Sequence, residues 1–260
     1  MRIELATAHG AAARPNEDWT TVALPASGEG GTLVILDGVT PPAGDDGCVH
    51  GVPWFTARLG GALAELSGSR RDMTLAEILS ASILRTADSH RETCDLSHVR
   101  TPQATVVLVR WGADAVEHLV LSDSTLLIES PDGDVQAVLD DRLDRVPREA
   151  LRSVASADAL RNAENGFFTA AADPSVAARA VTGGTPSTRV RALLALTDGA
   201  ARWVEVFREG TWTDCLALVR KSGPQELIDR VRAAESADPD GLAFRRGKPS
   251  DDATVAYVEL

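Results

Sequence analysis

Residues 33–38 read Leu-Val-Ile-Leu-Asp-Gly, and they place four apolar residues directly before a carboxylate and a glycine. A continuous apolar run of this kind predicts a strand that is buried on both faces. A carboxylate at the end of a buried strand is costly unless a partner compensates its charge, although Asp-Gly is also common turn chemistry. The stretch therefore predicts a central strand that ends in either a turn or a functional site.

The same arrangement recurs in three other places along the chain. Apolar runs lead directly into Asp123 and Asp198, and the order is reversed where Asp251 and Asp252 precede an apolar run. If these strands share a core, their carboxylates can meet at one edge of it. Carboxylates that lie so close must be protonated or bridged by cations, and hard divalent cations prefer oxygen ligands. The repetition favours a metal site over isolated turns.

Composition limits the classes of function that fit. The chain has 260 residues and a net charge of −12, which argues against nucleic acid or an anionic membrane as the main partner. It has no apolar run of about eighteen residues and no signal-peptide core, so we expect no membrane span and no secretion. The three cysteines, Cys48, Cys94 and Cys215, are far apart in sequence and form no Cys-x-x-Cys pair. This pattern predicts a reducing, cytoplasmic location.

Local patterns predict a mixture of hairpins and helices. Apolar runs with hairpin spacing predict strands at 19–24, 32–36, 103–111, 115–121, 125–129, 135–139 and 253–258. Helical spacing predicts helices at 53–68, from a capping box at Thr74, and at 148–160, 200–207, 214–220 and 225–235. The rest of 141–189 looks irregular, with a Gly/Pro/Thr-rich end at 182–186. Hairpins interleaved with helix pairs favour a layered α+β domain over a regularly alternating parallel sheet.

Two short motifs suggest phosphate chemistry through a covalent nucleophile, and both fail on their residues. Residues 35–40 look like the signature of haloacid-dehalogenase-like phosphatases, but Ile35 stands where the nucleophilic aspartate is required. Cys94 and Arg100 have the spacing of cysteine-dependent phosphatases. Their loop has no glycine, however, and Pro102 disfavours the helix that must follow the arginine. A covalent nucleophile is therefore not indicated.

Five motifs follow one another across nearly the whole chain: Asn-Glu-Asp at 16–18, Asp-Gly at 37–38, Ser-Asp-Ser at 122–124, Thr-Asp-Gly at 197–199 and Asp-Asp-Ala-Thr at 251–254. This ordered set resembles the metal-dependent serine/threonine phosphatases of the PP2C-like (PPM) family, of the bacterial stand-alone type. The resemblance implies a single domain over 1–260 with an α/β/β/α layered sandwich, in which helices flank two central, mainly antiparallel sheets. It also implies a flap beside the active site at about 141–189.

The resemblance further assigns the ligands of a site for two Mg²⁺ or Mn²⁺ ions. It implies that Asp37 bridges both ions and that the carbonyl of Gly38 completes the shell of one. Asp198 and Asp251 would hold the other ion. Two cations that share a water lower its pKa and stabilise the negative charge that develops at phosphorus, so no covalent nucleophile is required.

Other positions show where the chain keeps the family pattern and where it departs from it. The resemblance implies that Glu17 and Asp18 act through waters and that Asp123 faces a third, looser ion. Family members carry a phosphate-binding arginine three residues before the Asn-Glu-Asp motif, whereas Arg14 lies two residues before it. His50 lies in the loop after Asp-Gly and is either loop filler or a candidate general acid. The metal half of the site is intact, and the substrate half is altered.

Together these features predict a cytoplasmic, metal-dependent phosphomonoesterase that acts on phosphoserine or phosphothreonine in proteins. The altered substrate half leaves a small phosphomonoester open as an alternative substrate. A third hypothesis is a non-catalytic module that binds phosphorylated partners. The predicted partner is a phosphorylated protein or a small phosphomonoester rather than nucleic acid or a membrane.

Overall fold

The computed structural model describes residues 1–260 and contains two five-stranded sheets. The strands are β1 (Arg2–Ala8), β2 (Trp19–Ala23), β3 (Gly31–Leu36), β4 (Val106–Trp111), β5 (Ala115–Leu121), β6 (Thr125–Glu129), β7 (Val135–Val138), β8 (Val181–Pro186), β9 (Ala192–Leu196) and β10 (Ala253–Glu259). The α-helices are α1 (Val52–Ser69), α2 (Leu75–Asp88), α3 (Arg142–Arg145), α4 (Val154–Leu160), α5 (Asp198–Glu205), α6 (Trp212–Ser222) and α7 (Pro224–Ala237). None of these helices combines the length and apolarity needed to cross a membrane.

The sheets stack face to face between two layers of helices. Sheet A has the strand order β1-β10-β9-β6-β7 and sheet B the order β2-β3-β4-β5-β8, and all neighbouring strands are antiparallel. One apolar cluster lies between the sheets, a second lies between sheet B and helices α1 and α2, and a third lies between sheet A and helices α5, α6 and α7. The predicted α/β/β/α layered sandwich is confirmed.

Strand β3 is buried on both faces, as its apolar run predicts. Leu33 and Ile35 belong to the cluster between the sheets, whereas Val34 and Leu36 belong to the cluster under α1 and α2. All four side chains are fully buried. Alternate residues of a strand point to opposite faces, so a strand covered on both sides needs apolar residues at every position. The run therefore fixes β3 in the middle of the sandwich.

The remaining predicted elements agree with the structure in most places. The capping box that begins α2 is present: Thr74 Oγ1 accepts the Glu77 amide at 3.3 Å, and Glu77 Oε2 accepts the Thr74 amide at 2.8 Å. The predicted helix at 148–160 begins only at Val154, because residues before it form turns. The region 182–186 is not irregular, since it forms the edge strand β8 and pairs with β5. It lacks an apolar alternation because most of its side chains are exposed.

The topology gathers the ends of several strands at one edge of the sandwich. β3 ends just before Asp37, β5 just before Ser122, and β9 just before Thr197. β10 begins directly after Asp252, and it lies between β1 and β9 in sheet A. Antiparallel neighbours place the end of one strand beside the start of the next, so these carboxylates share an edge.

Candidate metal centre

Asp37 lies at the end of β3 and is held by backbone contacts on both sides. Its amide donates to Thr105 Oγ1 at 3.3 Å, and its carbonyl accepts the Thr105 amide at 2.9 Å. Asp37 Oδ2 accepts the amide of Asp198 at 3.2 Å, which joins the end of β3 in sheet B to the start of α5. The two sheets therefore meet at this carboxylate.

Asp18 has one carboxylate oxygen that is fully occupied and one that has no partner. Thr197 Oγ1 and Thr254 Oγ1 donate to its Oδ2 at 3.0 and 2.7 Å. Its Oδ1 is buried without a hydrogen bond. A buried, unpartnered carboxylate oxygen is costly. Together with the all-oxygen donors around it, this atom fits a Mg²⁺ or Mn²⁺ ion or its bound water.

The adjacent acids Asp251 and Asp252 point to different partners. Asp252 accepts two backbone amides, Gly10 to Oδ1 and Glu17 to Oδ2, each at 2.7 Å. It therefore fixes both ends of the loop between β1 and β2. Asp251 instead receives Lys248 Nζ on Oδ1 at 2.8 Å and faces the cleft described below.

A buried arginine connects Asp251 to the helical layer. Arg202 is 6% exposed; its Nη2 donates to Asp251 Oδ2 at 3.0 Å and its Nη1 to Glu235 Oε1 at 2.7 Å. Both oxygens of Asp251 are thus paired with cations. Burial opposes protonation of Lys248, but the hydrogen bond to Asp251 and the nearby carboxylates outweigh it and raise the pKa of Lys248. A metal ion at Asp251 would share it with these two residues.

The glycines of the two Asp-Gly motifs allow close backbone approach. A Cβ atom on Gly38 would lie 2.4 Å from the Glu17 carbonyl oxygen, and one on Gly199 would lie 1.9 Å from the Asp252 carbonyl oxygen. No side chain fits at either position without moving the backbone. Each glycine therefore allows an Asp to sit directly against the neighbouring acidic loop.

Asp123 follows a strained residue. Ser122 has φ 70°, in the left-handed region, and it stands where the family pattern has glycine. Its amide donates to Asp140 Oδ2 at 2.9 Å, and Asp140 is in turn paired with Arg142 at 2.7 Å. This contact holds Asp123 in place and offsets the conformational cost at Ser122.

The carboxylates at this edge raise one another's pKa. Burial raises the pKa of Asp37 well above its ordinary value, and Asp198, Asp18, Asp123 and Asp251 raise it further. Burial is also the main cause that raises the pKa of Asp198, that of Asp18 to about 8 and that of Asp123 to about 7. The edge therefore favours bound protons or cations.

A cleft of about 220 Å³ opens beside Asp251 and brings the predicted phosphate-binding residue close to the carboxylates. Arg14, Glu17, Thr40, Lys248 and Asp251 are among the residues that line it. The Thr40 hydroxyl donates to Glu17, and Lys248 Nζ donates to Thr40 Oγ1 at 3.1 Å. Arg14, displaced by one residue in sequence, still shares a cleft with the acidic site.

A second cleft, of about 200 Å³, contains Asp123 and Asp198. Asp144 from α3 lines it, which places the start of the 141–189 segment beside the site. The later part of that segment is different: Phe168 and Val176 are buried in the cluster under α1 and α2. The segment is therefore divided between the site and the core.

Three further charged residues lie beside the site, and the motifs did not single them out. Arg202 lies four residues after Asp198 on α5, and this spacing, which puts both residues on one helix face, could have predicted that Arg202 lies near the site. Asp140 carries no sequence signal. Arg246 also lines the cleft around Asp123 and Asp198, but it pairs with Asp238 at 2.8 Å and is therefore not free to bind phosphate.

Two of the three cysteines, although far apart in sequence, lie close together in the fold. Cys48 and Cys94 lie with their Sγ atoms 3.0 Å apart, beside His50 and His90. His50 therefore lies beside these thiols and not in the cleft next to Asp251. No Cys-x-x-Cys motif marks this pair in the sequence, because the two thiols belong to loops that only the fold brings together.

Comparison with solved structures identifies the fold. The serine/threonine phosphatase Stp1 from Staphylococcus aureus matches 100% of this chain and 94% of its own, with a TM-score of 0.63 and 14% identity. A serine/threonine phosphatase from S. agalactiae matches 100% of this chain and 99% of its own, with a TM-score of 0.60 and 16% identity. The catalytic domain of the phosphatase PstP, in complex with two manganese ions, covers 99% of this chain and 97% of its own, with a TM-score of 0.59 and 14% identity.

The chain has the fold of PP2C-type serine/threonine phosphatases, and the predicted resemblance in fold is confirmed. No protein-family profile matches the sequence, and no curated protein matches it. The likeness to these phosphatases therefore lies in the fold, the layered sandwich of two sheets and flanking helices.

The raised pKa values predict how metal and pH together affect stability. A carboxyl group with a folded pKa above its unfolded value of about 3.9 stabilises the fold at low pH and loses that contribution as pH rises through the folded pKa. For Asp123 and Asp18 this loss extends to about pH 7 and about pH 8. We expect chelator-treated protein to melt at a lower temperature at about pH 8 than at about pH 5.5.

Thermal melts with and without Mn²⁺ at both pH values measure this effect. Mn²⁺ should raise Tm more at the higher pH, by roughly 5 °C or more, because it replaces the missing protons. Asp18→Asn, which is neutral at both pH values, should show a smaller difference. An equal shift at both pH values would contradict the assignment of these carboxylates as the metal-sensitive groups.

Proposed function

We propose that this chain is a metal-dependent phosphomonoesterase that removes phosphate from phosphoserine or phosphothreonine in proteins. The proposal rests on one observation: Asp37, Asp198 and Asp251 converge at one edge of a PP2C-type fold, next to a buried oxygen of Asp18 without a partner. The donors are oxygen atoms, which suits Mg²⁺ or Mn²⁺. The PstP structure with manganese supports the same choice of metal.

In this proposal Asp37 and the carbonyl of Gly38, together with Asp198 and Asp251, would hold two ions. Glu17 and Asp18 would act through waters, and Asp123 would face a third ion. When bound, such ions would supply a shared water of lowered pKa and positive charge to stabilise the phosphate. The chain's own residues position these groups: Thr197 and Thr254 orient Asp18, and Arg202 orients Asp251.

Arg14 and Lys248 supply positive charge on the substrate side of the cleft. Arg14 is exposed and makes no ion pair with an acidic side chain, so its guanidinium is free to meet a phosphate. Lys248 Nζ is already hydrogen-bonded to Asp251 and Thr40, so its side chain is fixed in place and less able to move towards a phosphate. We assign phosphate binding to Arg14.

The segment 141–189 supplies the flap in this proposal. Its first part carries Asp144 into the cleft around Asp123, while its later part is anchored in the core. A segment whose later part is buried in the core and whose first part lines the cleft is suited to contact the polypeptide on either side of a phosphorylated residue. This arrangement favours a protein substrate over a small phosphomonoester.

Hydrolysis of a phosphothreonine peptide, compared with a generic aryl phosphate, tests the activity. We expect turnover with Mn²⁺, loss of turnover in excess chelator, and recovery when Mn²⁺ is added back. Asp198→Asn should be inactive, whereas Asp240→Asn on the exposed surface should behave as wild type. Full activity in chelator would exclude the metal mechanism. Tight binding of the peptide without turnover would favour a non-catalytic binding module, and preference for the aryl phosphate a small-molecule substrate.

The adjacent acids provide a matched pair of variants. Asp251→Asn puts a neutral amide in front of the ions and weakens two ion pairs, so kcat should fall at least about 100-fold. Asp252→Asn keeps the site but loses one of two acceptors for backbone amides, so Tm should fall while most activity remains. Assays across Mn²⁺ concentration and thermal melts separate the two effects. An active Asp251→Asn enzyme beside an inactive Asp252→Asn enzyme would reverse the assignment.

Arg14→Ala tests the phosphate contact. Loss of the guanidinium should raise KM for the phosphopeptide about tenfold or more, because one such contact accounts for roughly 1.4 kcal/mol. Arg14→Lys should recover only part of the loss, since lysine does not reproduce a bidentate contact. Arg230→Ala, which removes an exposed arginine of α7 outside both clefts and outside the 141–189 segment, is the control. Unchanged kinetics in Arg14→Ala would leave Lys248 or Arg245 as the phosphate ligand.

A further inference from the structure

Two thiols and two imidazoles form a cluster outside the acidic edge. Cys48 and His50 belong to the loop 39–51 that follows β3, and His90 and Cys94 belong to the turn that follows α2. One potential ligand atom from each side chain lies within 4.8 Å of all the others. We refer to these four residues as the Cys/His cluster.

The distances within the Cys/His cluster are close to those around a tetrahedral zinc ion. Cys48 Sγ lies 3.7 Å from His50 Nδ1 and 3.6 Å from His90 Nδ1, and Cys94 Sγ lies 3.3 Å from His50 Nδ1. Bond lengths of about 2.3 Å to sulfur and about 2.0 Å to nitrogen separate such ligands by about 3.6 Å, and two sulfurs by about 3.8 Å. The Sγ–Sγ distance of 3.0 Å is the shortest of these and must increase by less than about 1 Å.

We propose that Cys48, His50, His90 and Cys94 bind one Zn²⁺ ion in a closed tetrahedral site. Two thiolates and two imidazoles form a donor set typical of structural zinc, whereas Mg²⁺ and Mn²⁺ prefer the oxygen ligands of the acidic edge. Four protein ligands leave no open position for water or substrate, so the ion has a structural role. Each thiol that binds releases its proton to solvent.

The two imidazoles distinguish a zinc site from a simple disulfide. A bond between Cys48 and Cys94 would use both thiols and leave two ring nitrogens pointing at sulfur atoms without a function. In the structure both cysteines are free thiols. A metal ion is the single partner that uses all four ligand atoms at once.

Aromatic packing fixes the two imidazole rings. The ring of His50 stacks on Trp54 with centroids 4.1 Å apart, and the ring of His90 tilts against Trp54 at 5.0 Å. His90 is 3% exposed. Trp54 lies in the first turn of α1 and so holds both rings against a rigid element. Ligands held in this way lose little freedom when an ion binds, which favours affinity.

A zinc ion at the cluster would tie the loop 39–51 to the end of α2. Apart from the cluster, the two segments are joined by the Asp95 amide, which donates to the Gly47 carbonyl at 2.8 Å. The near end of the same loop follows Asp37 and carries Thr40, which contacts Glu17 and Lys248 in the cleft. The ion would therefore stabilise one wall of the acidic site without touching it.

Metal analysis of the full chain, purified without chelator and under reducing conditions, tests this site. We expect one zinc per chain. After removal of the zinc, titration with Co²⁺ should give thiolate-to-cobalt charge-transfer bands and the intense visible bands of tetrahedral cobalt, because thiolates are among its ligands. Excess Mg²⁺ should not abolish these bands. The cobalt spectrum uses the wild-type chain, so it remains decisive even if a variant fails to fold.

Variants separate this site from the acidic edge. Cys94→Ser and His90→Ala should lose the zinc and the charge-transfer bands and lower Tm by about 5 °C or more. Cys215→Ala, which removes a thiol outside the cluster, and Asp198→Asn, which alters the acidic edge, should keep both. Loss of phosphatase activity in Asp198→Asn with zinc retained would show that the two sites are independent.

Three results would overturn the proposal. The first is the absence of both zinc and thiolate-to-cobalt bands in the reduced wild-type chain. The second is a Cys48–Cys94 disulfide, found by mass spectrometry of protein prepared without added oxidant. The third is equal metal loss in Cys94→Ser and Cys215→Ala, which would place the metal elsewhere.

Discussion

The mutual repulsion of carboxylates at one edge of the sandwich is the constraint on which the rest of the structure depends. Antiparallel pairing brings the ends of strands from both sheets together, and several of those ends carry aspartates. Burial and proximity both raise their pKa values. Concentrating like charges in this way destabilises the fold. Burial of the apolar layers offsets this cost, and bound cations or protons reduce the repulsion.

Neighbouring hydroxyl groups and cations stabilise some of these carboxylates. Thr197 and Thr254 donate hydroxyl hydrogens to Asp18, and Arg202 and Lys248 hold Asp251. These contacts leave some oxygens satisfied and others open, so the carboxylates at one edge differ in role. Two backbone amides engage Asp252, which shapes the loop between β1 and β2, whereas Asp18 keeps one buried oxygen without a partner.

The sequence predicted the fold well where the apolar or acidic character of a residue depends directly on whether it is buried or lies at the end of a strand. The uninterrupted apolar run at 33–36 predicted burial on both faces, and the recurrence of aspartates after apolar runs predicted that Asp37 and Asp198 meet at one edge. It failed for β8, because an edge strand paired through its backbone needs no apolar alternation. It also failed for the Cys/His cluster, since Cys48 and Cys94 meet only through loops whose path depends on α1 and α2.

The contact of Asp252 with Gly10 and Glu17 has a consequence for biosynthesis. Strand β1 pairs in sheet A only with β10, from Arg2 opposite Glu259 to Ala8 opposite Ala253. Strand β1 therefore has no partner in sheet A until β10 has been translated, and the acidic edge that Asp251 and Asp252 complete forms only then. Such long-range closure slows folding and exposes an edge to chaperones.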